Sequence, residues 1–271
     1  MKRLIFTLLY EDGNFLLSRN FRLQKVGGID WIFNNYDLSN VSHGLDELMV
    51  IDVSRRQRNH EAFADVVKQI ATKCFIPVTV GGGIRTLDVA NYYMRSGADK
   101  LLLNSLFEIE PKLCQQLADR FGRQCIVACI DYFNEKDSDI RVKIKNGTNT
   151  LDVSLNSWVE HLQNNGAGEL LFQSIDRDGT GMGLHLDVID KLNETLDVPV
   201  IVMGGVGKAE HIVDGLMTSG VDAVATANLF NFIGDAFLDV RRALRSNNLS
   251  VASWDNPEYA SLKDRFILGH T

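Results

Sequence analysis

PVTVGGGI, residues 77–84, returns as PVIVMGGV at 199–206, and SGADKLLLNSLF (96–107) returns as SGVDAVATANLF (219–230). The two pairs stand 122 and 123 residues apart, close to half of the 271-residue chain. Each copy is a short apolar run ended by glycines or small polar residues. Such runs, alternating with helix-length amphipathic stretches, are the pattern of βα units on a parallel sheet. Two similar halves of four units each would close into a barrel rather than leave an open sheet. Chance resemblance between two glycine-bearing units would give the same pairing without any wider symmetry, so the rest of the chain has to supply the other units.

It does. Eight runs read as strands: RLIFTLL (3–9), DELMVID (46–52), PVTVGG (77–82), DKLLLN (99–104), QCIVACID (124–131), GELLFQSI (168–175), PVIVMGG (199–205) and DAVATA (222–227). Helical stretches between them include NHEAFADVVKQIATKC (59–74) and IEPKLCQQLADRFG (109–122). A (β/α)8 barrel commonly occupies about 200 to 250 residues or more as one domain, and no linker-like stretch divides the chain. The expected organisation is one barrel over 1–271, with residues from about 245, ending in SWDNPEYASLKDRFILGHT, as a terminal extension. IRVKIKNGTNTLDVSLN (140–156) carries a hairpin signal at Asn146 and Gly147, either a cover over a site or an ordinary excursion.

Composition narrows the function classes. Hydrophobic residues make up 45% and charged residues 23%, enough to bury a core. The net charge of −7 gives no general attraction for nucleic acid or an anionic membrane, so an anionic ligand needs a local site. MKRLIFTLLYEDG starts with basic residues and a short apolar run, but Tyr10, Glu11 and Asp12 stand where a signal peptide has small residues, so a buried first strand is expected. No run reaches the roughly 20 apolar residues of a membrane span. Cys74, Cys114, Cys125 and Cys129 lack metal-ligand spacing and read as reduced core thiols of a cytoplasmic protein. The six histidines are dispersed, and neither a metal nor another cofactor is implied.

Ligands of such barrels meet the loops after the strands, so strand ends carry the information. Gly81, Gly82 and Gly83 end the third run; Asn104 and Ser105 end the fourth. Glycines let backbone approach a ligand closely, and amide N–H groups with Asn and Ser side chains suit phosphate oxygens. The other half offers a second cradle from Asp178, Gly179, Gly204, Gly205, Ala227 and Asn228, with Ser174 at the preceding strand end. Each glycine alone could be a tight turn; two sets in register favour a ligand with a phosphate at each end.

VGGGI (80–84), SGADK (96–100), the ID at 130–131, GAGELLFQSIDRDGTGMG (166–183) and VMGGVGK (202–208) resemble the cyclase subunit of imidazole glycerol phosphate synthase over about residues 1–240. SIDRDG is the most specific part. A related phosphoribosyl isomerase shares the barrel and paired phosphate sites but fits that segment less well. The resemblance implies a barrel that takes ammonia from a glutaminase partner, as a heterodimer, at its N-terminal mouth and passes it to a phosphorylated substrate at the other. It implies an entrance gate of Arg3, Glu47, Lys100 and Glu169, with Asp99 at the glutaminase contact. Taken without the resemblance, four charges at strand starts would read as a solvated rim or a stabilising salt-bridge layer.

The resemblance also implies two catalytic aspartates, at the ends of the first and fifth strands. Asp131 matches the second. Leu9 stands in place of the first when the turn at Asp12 and Gly13 is aligned, and Leu17 in place of a nearby lysine. Gln173 and Met203 depart from the family's usual threonine and small polar residue. A positioned acid or base is worth about 10² to 10⁴ in rate, so leucine there should nearly abolish ordinary cyclisation. The chain thereby resembles divergent copies of the subunit from surface-polysaccharide (lipopolysaccharide) pathways, where glutaminase and barrel feed ammonia to a separate sugar amidotransferase. Cyclase subunit and ammonia conduit are both kept as expectations, with a non-catalytic scaffold as the third.

Overall fold

The computed structural model describes residues 1–36, 38, 44–135, 139–192, 195–227 and 236–251. Eight parallel strands hydrogen-bond in a closed ring: β1 (Arg3–Glu11), β4 (Glu47–Asp52), β5 (Val78–Gly81), β6 (Lys100–Leu103), β7 (Ile126–Glu135), β10 (Glu169–Ser174), β11 (Val200–Met203) and β12 (Ala223–Thr226). β12 pairs back onto β1, with Ile5 opposite Ala225, and β7 pairs with β10, with Asp131 opposite Gln173. These are the eight runs of the sequence, six of them trimmed by a residue or two at their ends and the first and fifth extended beyond theirs. The largest change is in the fifth, where Arg123–Cys125 is a 3-10 turn, so Cys125 precedes the strand.

Alternation decides what each strand buries. Ile5, Met49, Leu102, Val127, Leu171, Ile201, Ala223 and Ala225 point inward and pack together inside the ring. Leu4, Phe6, Leu48, Val50, Val80, Leu101, Ile126 and Phe172 point outward, into a larger apolar layer under the helices. With both faces covered, the strands can be almost continuously apolar.

The helices α1 (Ile29–Asn35), α2 (His60–Ala71), α3 (Leu87–Arg95), α4 (Leu106–Ile109), α5 (Pro111–Phe121), α6 (Leu155–Asn164), α7 (Asp187–Asp190), α8 (Ala209–Met217) and α9 (Ala236–Ser246) follow strands or hairpins. Their starts are legible chemically. The Asn59 side chain accepts the Ala62 amide at 3.0 Å and Thr86 accepts that of Val89 at 3.2 Å, each satisfying a helix donor that otherwise has no partner. Of the expected terminal extension, 245–246 close α9 and Val251 bridges to Lys2; residues 252–271 lie outside the described residues.

Two features repeat between the halves. Asp99 and Asp222 accept the amides of Val78 and Val200 at 2.8 and 2.9 Å, fastening adjacent strand starts at equivalent positions. The first strand of each half also outgrows the ring and turns back as a hairpin at the C-terminal mouth. β1 continues through β2 (Asn14–Arg19) and β3 (Arg22–Gly27); β7 continues through β8 (Asp139–Ile144) and β9 (Asn149–Thr150). Asp12 and Gly13, both at positive φ, make the two-residue turn that joins β1 to β2. The turn expected at Asn146–Gly147 is present, with Ile144 opposite Asn149. The β2–β3 hairpin was not expected from the sequence.

Candidate functional site

Inward side chains at the strand starts meet at the base of the barrel. Arg3 donates to Glu47 at 3.0 Å and also to Glu169; Lys100 donates to Glu47 at 2.9 Å and to Glu169 at 2.8 Å. The four thus form a closed ring of alternating charge, with both carboxylates buried. Burial alone would lower the Arg3 pKa, but Glu169 and Glu47 beside it outweigh that and hold it above its ordinary value. The Thr79 hydroxyl donates to Glu47 from inside. Asp99 sits exposed next to the ring, with one carboxylate oxygen committed to the Val78 amide.

Above this ring lies the apolar inner stack, and above that, at the opposite mouth, a cavity of about 260 Å³. Its floor is Leu9, Ile51, Leu102, Leu171 and Met203; Gly82, Gly83, Asn104 and Ser105 form one wall. The Asn104 amide donates to the Cys129 carbonyl at 3.0 Å, and Ser105 donates to Asn104 and accepts the Lys145 amide, each at 3.0 Å. The β8–β9 turn, carrying Lys145 and Asn146, is thereby tied to the first cradle. The adjoining hollow is lined by Asp178, Gly179, Gly204, Gly205 and Ala227, so both glycine sets share one face of the barrel. Gly82 and Gly204 adopt φ of +116° and +104°, which a side chain would resist, and their equivalence reflects the two halves.

Two expected residues fall elsewhere. Ser174 lies on the outward side of β10, fully buried, donating to Asp176 at 3.1 Å instead of lining either hollow. Asn228 lies outside the described residues.

Asp131 lines the cavity from the middle of β7, where the strand passes from the ring into its hairpin, and burial raises its carboxyl pKa to about 7, opposed by a hydrogen bond from the Cys129 thiol at 3.3 Å. At neutral pH such a group is near half-protonated and suits either general acid or general base work. The Cys129 thiol is itself pushed up, by burial first and then by the Asp131 charge, so it stays a donor. Asp178 is also raised by burial, opposed by hydrogen bonds from the Ser18 hydroxyl at 2.5 Å and the Phe21 amide at 3.1 Å. Those bonds, with Asn20 donating to the Asp176 carbonyl at 2.9 Å, hold the β2–β3 hairpin over the second cradle.

Leu9 faces this cavity, and its register, opposite Leu16 and Ile51, leaves Glu11 and Asp12 beyond the cavity on the hairpin. The carboxylates that do line it are Asp52, Asp131 and Asp178. Asp52 is buried, accepts the Ser54 amide at 2.9 Å and lies 3.7 Å from Arg58 Nε. Sequence reasoning missed Asp52, Arg55, Arg58, Arg85, Lys145, Ser18 and Cys129. The signal for the arginines was available in DVSRRQR, directly after the second strand, and the Asp-Gly turn could have announced the hairpin that brings Ser18.

A family profile described as "Histidine biosynthesis protein" matches residues 37–234. A provisionally named imidazole glycerol phosphate synthase subunit hisF2 of Parasynechococcus marenigrum (strain WH8102) is 38% identical over 254 residues, covering 93% of this chain and 94% of the relative. The imidazole glycerol phosphate synthase subunit HisF of Exiguobacterium sp. (strain ATCC BAA-1283 / AT1b) is 36% identical, covering 92% and 96%. That of Streptococcus mutans serotype c (strain ATCC 700610 / UA159) is 34% identical, covering 92% and 98%.

Proposed function

The chain belongs to the histidine biosynthesis protein family, and from that premise we propose a barrel subunit of the imidazole glycerol phosphate synthase type that receives ammonia at its base and performs lyase and cyclase chemistry at its mouth. The observation that carries this reading is the pairing of a charge ring at one end of the barrel with two glycine cradles and Asp131 at the other. A glutaminase subunit docks on the base, with Asp99 among its contacts. Ammonia enters where Arg3, Glu47, Lys100 and Glu169 part, then crosses the stack of Ile5, Met49, Val127 and Ile201. A small neutral molecule loses little there, whereas an ammonium ion would be stripped of water without compensation.

At the mouth, Gly82, Gly83, Asn104 and Ser105 take one phosphate of a ribulosyl aminoimidazole carboxamide type ligand. Asp178, Gly179, Gly204, Gly205 and Ala227, with Asn228, take the other, and Ser174 supports the loop through Asp176. The ligand then spans Asp131, whose carboxyl moves the proton during carbon–nitrogen bond formation.

Leu9 favours a second reading. With an apolar side chain in the cavity floor and no carboxylate brought into its place among the described residues, the mouth has only one half of the acid–base pair. The barrel would then serve as the ammonia-delivering subunit of a sugar amidotransferase complex. Supplying ammonia and the ribulosyl bis-phosphate to the purified chain separates the two: turnover at ordinary enzymatic rates rejects the conduit, and its absence, with intact glutaminase stimulation, rejects the cyclase.

A further inference from the structure

The two cradles differ in charge. Arg55, Arg58, Arg85 and Lys145 line the cavity that holds the first cradle, against the three carboxylates of Asp52, Asp131 and Asp178. The hollow of the second cradle is lined by neutral residues and Asp178. Near-symmetry of the backbone has therefore been broken by side chains on one side.

Arg58 is built into that side. A Cβ on Gly83 would come within 2.5 Å of Arg58 Cδ and 3.0 Å of its Nε, so the arginine stem lies directly on the glycine whose amide edge forms the cradle. Its Nε is buried, and it has no hydrogen-bond partner among the described residues. The nearest acceptor, Asp52 Oδ2 at 3.7 Å, is too far for a hydrogen bond. A buried guanidinium donor left unmade carries a desolvation cost that an incoming acceptor removes. Arg85 reaches the same cavity, and its pKa is lowered by burial and then by the charge of Arg58. Two like charges have thus been placed where they repel one another unless an anion lies between them.

We infer that Arg58 and Arg85 form a guanidinium clamp over the first cradle, making it the high-affinity, dianion-selective end at which a phosphorylated ligand is gripped and oriented. The clamp rests on the two-cradle reading of the mouth and assigns its polarity. Guanidinium groups suit this because their planar forks match phosphate oxygens and stay charged at every working pH. Behind them, Tyr93 donates to the Gly82 carbonyl at 3.3 Å and is hydrogen-bonded to His60, which fixes the backbone against which the phosphate is pressed.

The test is titration calorimetry with inorganic phosphate at pH 8 and low salt, without any turnover. The wild-type chain is expected to show two classes of site. Arg58→Gln with Arg85→Gln should weaken the tighter class by about tenfold to a hundredfold and leave the weaker class within about twofold. Arg58→Lys, which keeps the charge but not the fork, should fall between. Arg85→Gln alone, at an exposed position, should weaken the tighter class by itself and serves if the double variant fails to fold. Unchanged affinity in both classes, or equal weakening of both, overturns the clamp while leaving the cradles standing. No phosphate binding by the wild-type chain overturns the two-cradle reading and the clamp with it.

Discussion

At the base of the barrel every charge named in the ring has a partner of opposite sign; at the mouth charges are left in tension. Arg3, Glu47, Lys100 and Glu169 satisfy one another in a closed circuit, and the ring sums to zero. Asp131, by contrast, is buried with only the Cys129 thiol and the Asn104 side chain to offset its burial, Arg58 Nε has no acceptor among the described residues, and Arg58 and Arg85 repel. Groups that stabilise a fold are paired within it, whereas groups waiting for a ligand are paired by the ligand. The mouth is thus the end whose charges a ligand would pair, and the base is a ring whose ion pairs close on themselves.

The sharpest way to break this contrast is to neutralise Asp131. Asp131→Asn should lower any mouth chemistry by about 10² to 10⁴, read as ammonia-driven turnover, and unchanged turnover removes Asp131 from the reaction. The same variant should be more stable than the parent above neutral pH. The folded-state pKa of about 7 exceeds the ordinary 3.8, so the folded protein holds an extra proton between those values. The stability tied to that proton is present at low pH and lost as pH rises through about 7. The melting temperatures of variant and parent should therefore agree near pH 4 and diverge toward pH 8, by about 2 to 4 °C per kcal/mol relieved.

Next in size is Leu9→Asp, which asks whether the mouth lacks only one carboxylate. The register of β1 places that side chain on the cavity floor beside Ile51, so a restored acid should raise ammonia-driven turnover by about a hundredfold. No gain, with ligand still bound, shows that the divergence at Gln173 and Met203 has changed the chemistry itself. Smaller again is Glu169→Gln at the base. It leaves Arg3 and Lys100 with Glu47 alone, and glutamine-driven activity should fall by about tenfold, some 1.4 kcal/mol, while the response to free ammonia is spared. Equal loss with both nitrogen sources refutes the gate.

The barrel was legible in the sequence because its determinants are local and repeated. Apolar β-branched runs, the 122-residue echo and the glycine ends each report on a unit without reference to the others. The base ring was named through resemblance, and geometry then showed why it closes: inward positions at four strand starts converge wherever strands tilt around one axis. The mouth was less legible because its residues converge from loops. Ser18 reaches Asp178 across 160 residues of chain, and Lys145 reaches Ser105 across 40, contacts that no periodicity encodes. Ser174 shows the opposite failure. Its place at a strand end beside the second cradle suggested ligand contact, but strand alternation turns its side chain outward once Gln173 faces in.

Cys129 gives the finest test of the contrast, since its thiol, together with the Asn104 side chain, partly relieves the tension on Asp131. Its place in an apolar run made it look like a core thiol, yet alternation along β7 turns it inward with Val127 and Asp131. The thiol donates to Asp131 Oδ1 and so favours the ionised carboxylate, while burial works against it. Cys129→Ala removes the donor and leaves the burial. The carboxyl should then titrate higher, and the limb of the pH–rate profile that reports on Asp131 should move upward by less than about one unit, with little change in the plateau rate. A limb that moves downward, or does not move, means that the thiol does not set the acidity of Asp131. With burial and Asp131 both pushing its own pKa up, Cys129 should also resist thiol alkylation at pH 8 more than an exposed thiol does. Rapid modification would mean that the thiol is not held as a donor, and the acidity of Asp131 would then be set by its burial and by Asn104 without it.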